Sequence, residues 1–131
     1  MSLDKYILDD QGQPVVEPDL FKWAAWMEFS PRHVAFERLG PVDISTVFLG
    51  LDHSFRGGPP VVWETMFFGE GRLNGDQSRC AGSREQAEAM HAMMRQRLLS
   101  DWRNFNWRKF TNRKRRRKAF RQLKRRKRIL P

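Results

Sequence analysis

From Ser83 to Leu130 the chain contains no glycine and no proline, while all nine glycines and six of the seven prolines come earlier. This uneven punctuation constrains the fold more than any other feature. Glycine and proline shape turns and end helices. The first part must therefore be a succession of short elements, and nothing obligatory interrupts a helix after Ser83. Ser83 and Gln86 carry a capping-box signature. Ala87, Met90, His91, Met94 and Leu98 then recur at helical spacing and predict one apolar stripe lying on a body. Leu98, Trp102 and Phe105 prolong the stripe, which vanishes between Thr111 and Lys118, where the helix is expected to leave the body. Asn and Thr side chains at 104–106 and 111–112 compete for the backbone and mark candidate breaks.

Before Ser83 the elements follow from composition. Tyr6, Ile7 and Leu8 predict a short strand, and 9–12 (DDQG) a turn from which 14–17 (PVVE) returns. Asp19, just after Pro18, is an N-cap for a helix with Leu20, Trp23, Ala24 and Met27 on one face. Ser30-Pro31 stops it, because a residue before proline avoids the helical region. Residues 33–39 (HVAFERL) predict a strand ended by Gly40-Pro41, and 42–51 (VDISTVFLGL) a central strand. A Gly/Pro loop covers 52–60, followed by a strand at 61–68 (VVWETMFF). Val61, Trp63, Thr65 and Phe67 share one of its faces, and Val62, Glu64, Met66 and Phe68 the other. Both faces are apolar enough to predict cover on much of both sides. A short edge strand is expected near 77–81. The fold class predicted is α+β: a small antiparallel β-meander of three to five strands, two packed helices and a C-terminal basic helical arm. The compact body should span residues 1–98 and the extension 99–131.

Charge divides the chain at nearly the same place. Residues 95–131 hold 17 Lys and Arg against one acid, Asp101, while residues 1–94 hold 8 Lys and Arg against 14 Asp and Glu. The formal charge of +10 is thus an acidic body joined to a strongly basic extension. The segment RKRRRKAFRQLKRRKR, residues 113–128, concentrates positive potential and selects a polyanion as partner. Arg predominates, and its planar, permanently charged fork suits phosphate. The predicted phosphate contacts are Arg108, Lys109, Arg113, Lys114, Arg115, Arg116, Arg117, Lys118, Arg121, Lys124, Arg125, Arg126, Lys127 and Arg128. Trp107, Phe110 and Phe120 are interleaved with them and can stack on unpaired bases or anchor the arm, which favours RNA over DNA. No base-reading pattern is visible, so backbone and shape recognition of structured RNA, ribosomal RNA included, is expected. The bland reading is a solvated charge run, or one folded back on the acidic body. RKRRRK would also act as a nuclear import signal in a eukaryotic cell.

Residues 44–69, ISTVFLGLDHSFRGGPPVVWETMFFG, carry a second, more specific pattern. In it the chain resembles small uncharacterised proteins of bacteriophages and prophages. These share STVFLGLDH-x-F-x-GGPP, then ETM-x-FG, and later a helical run like STxEEAxxGH. The matches are Ser45 to His53, Phe55, Gly57 to Pro60, Glu64 to Met66, Phe68 and Gly69, with Glu85, Glu88 and His91 in the later run. The likeness covers roughly residues 3–95 and leaves out the Arg-rich tail. It implies a phage accessory protein and no particular activity.

Asp52, His53, Glu64 and His91 could converge as an acid–base or metal site. The plainer reading makes His91 a satisfied core histidine, with Glu64 a reasonable acceptor for either imidazole. No metal-ligand spacing or nucleophile elbow is present, and Gly57-Gly58 lacks the Lys-Ser/Thr of a phosphate loop. Cys80 stands alone, so no intrachain disulfide is possible, which fits a reducing compartment. No run approaches the roughly 18–20 apolar residues of a membrane span, and no signal peptide is seen. The expectation is a soluble, cytoplasmic, non-enzymatic chain without cofactor or metal. Its partner is nucleic acid, with a host protein or the ribosome as further possibilities. The rival reading is a protein-interaction module that inhibits a host complex through the acidic body.

Overall fold

The computed structural model describes residues 4–55, 57–69, 75–101 and 121. Two short strands, β1 (Tyr6–Leu8) and β2 (Pro14–Val16), pair antiparallel with Ile7 opposite Val15. Their turn is closed by Asp9, whose Oδ1 accepts from the N–H groups of Gln11 and Gln13 at 2.8 and 2.9 Å. Helix α1 (Leu20–Phe29) follows, capped by Asp19, which accepts from the N–H groups of Phe21 and Lys22. A four-stranded antiparallel meander comes next: β3 (His33–Leu39), β4 (Val42–Phe48), β5 (Val61–Gly69) and β6 (Gln77–Ala81), in that spatial order. Helix α2 (Arg84–Asp101) closes the described body. The α+β class is therefore the observed one. The boundary expected at 98/99 lies inside α2, and of the extension beyond Asp101 only Arg121 is among the described residues.

The core forms where α2 crosses the sheet. Leu39, Val42, Ile44, Phe48, Val62, Trp63 and Phe67 meet Ala87, Met90, Met94 and Leu98. Burying each of the larger side chains stabilises the fold by about 1.5–3 kcal/mol. The buried residues of α2 are Ala87, Met90, His91, Met94 and Leu98, the stripe expected from spacing. At its start the Gln86 side chain accepts from the Ser83 N–H at 2.8 Å and also from the Ser83 hydroxyl. Trp63 Nε1 donates to the Gly82 carbonyl at 2.7 Å, which ties β5 to that same helix start.

One expectation changes and another is met in part. α1 turns Trp23, Trp26 and Met27 inward, whereas Leu20 and Ala24 are exposed. Its rotation is set by Trp26, edge-on to Phe48 at 5.4 Å, and by Trp23 Nε1, which donates to the Gly50 carbonyl at 3.0 Å. β5 is central, and its second face is covered in part: Val62 is buried and Glu64 and Met66 are half-buried. Trp63, Thr65 and Phe67 are buried under α2, whereas Phe68 on the other face is exposed. That second face also carries exposed Phe36 and the ion pairs Arg38–Asp43 and Arg79–Glu64, at 3.0 and 2.8 Å.

Candidate nucleic-acid interface and a polar lock in the body

The inward face of the sheet is apolar except at its centre. Thr46 and Thr65 are opposite one another in the β4–β5 register, between Ile44 and Phe48 on one strand and Trp63 and Phe67 on the other. Both are 0% exposed. Their hydroxyl oxygens are 2.6 Å apart, and Thr46 Oγ1 also lies 2.7 Å from His91 Nδ1 on α2. The other ring nitrogen, Nε2, is 2.8 Å from Glu37 Oε1 on β3. Arg95 Nη1, one helical turn beyond His91, reaches the same Glu37 oxygen at 3.5 Å.

The donors and acceptors along this chain are mutually consistent. A carboxylate only accepts, so Nε2–H donates to Glu37. In the neutral ring Nδ1 then accepts from the Thr46 hydroxyl, and Thr46 Oγ1 accepts from the Thr65 hydroxyl. Thr65, Thr46, His91 and Glu37 each have a partner, as buried polar groups require, while the buried Nε of Arg95 has none among the described residues. Carboxylate, imidazole and hydroxyl stand in the order of a catalytic triad. With no accessible surface on Thr46, however, no substrate can approach its oxygen. What this geometry can do is fix α2 on three strands at one rotation and one height.

The residues considered for a small site are engaged with separate partners. Asp52 closes the loop between β4 and β5: it accepts from the Ser54 N–H at 2.8 Å, the Ser54 hydroxyl at 2.9 Å and the Val61 N–H at 2.9 Å. Burial pushes its carboxyl up, but these bonds and the nearby His53 outweigh that and hold it below the usual carboxylate range. His53 donates its backbone N–H to the Val61 carbonyl at 2.9 Å. Glu64 lies on the outer face of β5 with Arg79, so the acceptor for His91 is Glu37 and not Glu64. Strand alternation is the reason: Glu64 is next to Thr65 and must point away from the helix. Among the described residues, no three His, Cys, Asp or Glu side chains are arranged to hold a metal ion. Burial pushes the Cys80 thiol up, away from a reactive thiolate.

Sequence reasoning missed Glu37, Thr46 and Thr65 as one unit. The available signal was a threonine at an inward position on each of two adjacent apolar strands. Thr46, Thr65 and His91 all belong to the 44–69 pattern and its helical continuation. The pattern's other residues have structural work as well. At Gly50 an added Cβ would sit 2.5 Å from Met27 of α1, and at Gly69 it would sit 2.2 Å from the Pro41 carbonyl oxygen.

Of the residues expected to bind phosphate, Arg121 is described, as helical and exposed. Arg108, Lys109, Arg113 to Lys118 and Lys124 to Arg128 lie outside the described residues, as do Trp107, Phe110 and Phe120. Within the body, Arg38, Arg79, Arg84, Arg95 and Arg97 each contact a carboxylate. Beyond Asp101 the sequence has 15 Lys and Arg and no carboxylate side chain to compensate them. Among the described residues no helix is long and apolar enough to cross a membrane. No family model, no curated protein and no solved structure matches the chain.

Proposed function

We propose that this chain is a non-catalytic nucleic-acid-binding protein, of the bacteriophage accessory kind that its 44–69 segment resembles. It binds structured RNA through phosphate contacts made by the basic residues of 108–128. The observation that carries this reading is the segregation of charge: an acidic body, and an extension whose sequence beyond Asp101 holds 15 Lys and Arg and no Asp or Glu. Five arginines of the body support it: Arg38, Arg79, Arg84, Arg95 and Arg97 each already contact a carboxylate, whereas the sequence beyond Asp101 supplies no acidic side chain. The Thr65–Thr46–His91–Glu37 chain gives α2, the element that leads into the extension, a fixed mount. Trp107, Phe110 and Phe120 favour RNA with unpaired bases over duplex DNA.

The test is equilibrium binding to an RNA hairpin and to a DNA duplex of equal length, across about 50 to 200 mM salt. A protein that neutralises 6–10 phosphates loses about 10³–10⁵ in affinity over that range. The triple change Arg115→Gln, Arg116→Gln and Arg117→Gln should lower the log–log salt slope by about one per residue, and by similar amounts on every sequence. Affinity that is flat with salt, or a slope untouched by the triple change, counts against the proposal.

A further inference from the structure

The loop between β4 and β5, residues 49–60, is held at its base and bare at its tip. Asp52 clamps the base: its Oδ1 accepts from the N–H groups of Ser54 and Val61, and its Oδ2 from the Ser54 hydroxyl. The His53 N–H donates to the Val61 carbonyl at 2.9 Å. These bonds tie the two ends of the loop to each other at the start of β5. Phe55 follows the clamped Ser54 and is 80% exposed. An aromatic ring on a fixed base loses little freedom when a partner takes it up.

Near that ring the backbone is uncovered. Gly57 and Gly58 are exposed, at φ +78 and +86, and nothing lies within 4 Å of where a Cβ would sit on either. Among the described residues their N–H groups have no hydrogen-bond partner. The tip therefore offers one aromatic face and two free donors. It offers no free carboxylate, because both oxygens of Asp52, the only acid in 49–60, are taken. The one Lys or Arg of that stretch is Arg56, between Phe55 and the glycines in sequence. These properties select a ligand. A flat ring, hydrogen-bond acceptors and a negative charge occur together in an unpaired nucleotide. Every base has a π-face, so stacking on Phe tolerates any sequence, and an unpaired base has that face to offer.

We infer that Phe55, with the Gly57–Gly58 backbone, is a stacking site for an unpaired base of the RNA whose phosphates the extension contacts. It rests on the nucleic-acid reading and gives the body a part in it. The site is remote from the end of α2. Val61, directly after the loop, stands opposite Ala81, just before α2 begins, whereas Arg97 near the helix end reaches Asp76 at the other end of β6. The 18 residues of α2 span about 27 Å. Stacking at Phe55 therefore distinguishes unpaired from paired RNA, while the extension supplies contacts that both share.

The test titrates the full-length chain, at constant salt, with two RNAs that share one stem longer than about 27 Å. One is closed by an unpaired loop carrying 2-aminopurine, and the other is a blunt duplex. The parent should bind the hairpin more tightly and quench the 2-aminopurine. Phe55→Ala should weaken hairpin binding about five- to 150-fold, the worth of one stacked base, and abolish the quenching. Its duplex affinity, salt slope and melting temperature should equal the parent's, since Phe55 is uncharged and exposed. Phe55→Trp should restore both hairpin affinity and quenching. Unchanged hairpin affinity in Phe55→Ala overturns the inference, as a protein partner for Phe55 would require. Equal losses on hairpin and duplex overturn it too. In both cases a steep salt slope leaves the nucleic-acid reading standing, whereas a parent that binds neither RNA ends both.

Discussion

Replacing Thr46 with Val tests the polar lock most directly. The two side chains have nearly the same shape, so the change removes one hydroxyl and little packing. That oxygen is the middle member of the chain, 2.6 Å from Thr65 Oγ1 and 2.7 Å from His91 Nδ1. Its loss leaves two buried neutral groups without their partners, the Thr65 hydroxyl and the His91 acceptor. An orphaned buried polar group costs about 1–3 kcal/mol, so Thr46→Val should destabilise by about 2–5 kcal/mol. Thr65→Val removes a terminal member and leaves the Thr46–His91 bond intact. It should cost only the net worth of one hydrogen bond, about 0.5–1.5 kcal/mol. The triple change Thr46→Val, Thr65→Val and His91→Leu removes both orphans and should recover much of the loss, because Glu37 remains part-exposed beside Arg95. Urea titration at constant m-value gives all three numbers. The reasoning fails if Thr46→Val costs less than Thr65→Val, or if the triple variant is less stable than the sum of its parts.

Other consequences are as direct. Asp52 has its carboxyl held below its unfolded value near about 3.9. Its stabilising contribution should be complete above that pH and lost as pH falls through the lower folded value; Asp52→Asn should therefore be least stable relative to the parent near neutrality, with the gap closing in acid, as thermal melts across pH would show. Gly69→Ala should cost at least about 2 kcal/mol, since the backbone has φ +148 and the new Cβ would sit 2.2 Å from the Pro41 carbonyl oxygen. Gly57→Ala, with φ +78 and nothing within 4 Å, should cost only the conformational term of about 1–2 kcal/mol; equal midpoints for the two alanine variants would contradict this contrast. His91→Gln should lower the melting temperature while leaving the salt slope of RNA binding unchanged, because the phosphate contacts are assigned to 108–128; a changed slope would show that the lock takes part in binding.

Local physical chemistry made much of this protein legible. Asp19 caps α1, Pro31 stops it and Gly40-Pro41 turns β3 into β4, because capping and turning depend on neighbours a few residues away. The five buried residues of α2 could be named from spacing, since one helix face needs no partner to be defined. Charge segregation was equally plain, because net charge requires no fold. Tertiary structure alone decided what His91 bonds to. Glu37 is 54 residues away and Thr46 is 45, and Glu64 was the acceptor that the sequence suggested. Alternation along a strand says which residues share a face, but not which face meets the helix or which residues of two strands stand opposite. The packing of α2 on the sheet and the β4–β5 register settled both, placing Thr46 against Thr65 and turning Glu64 outward to Arg79. The rotation of α1 was likewise beyond sequence: with apolar residues on every side, only the contacts of Trp23 and Trp26 with Gly50 and Phe48 determined which face stayed outside.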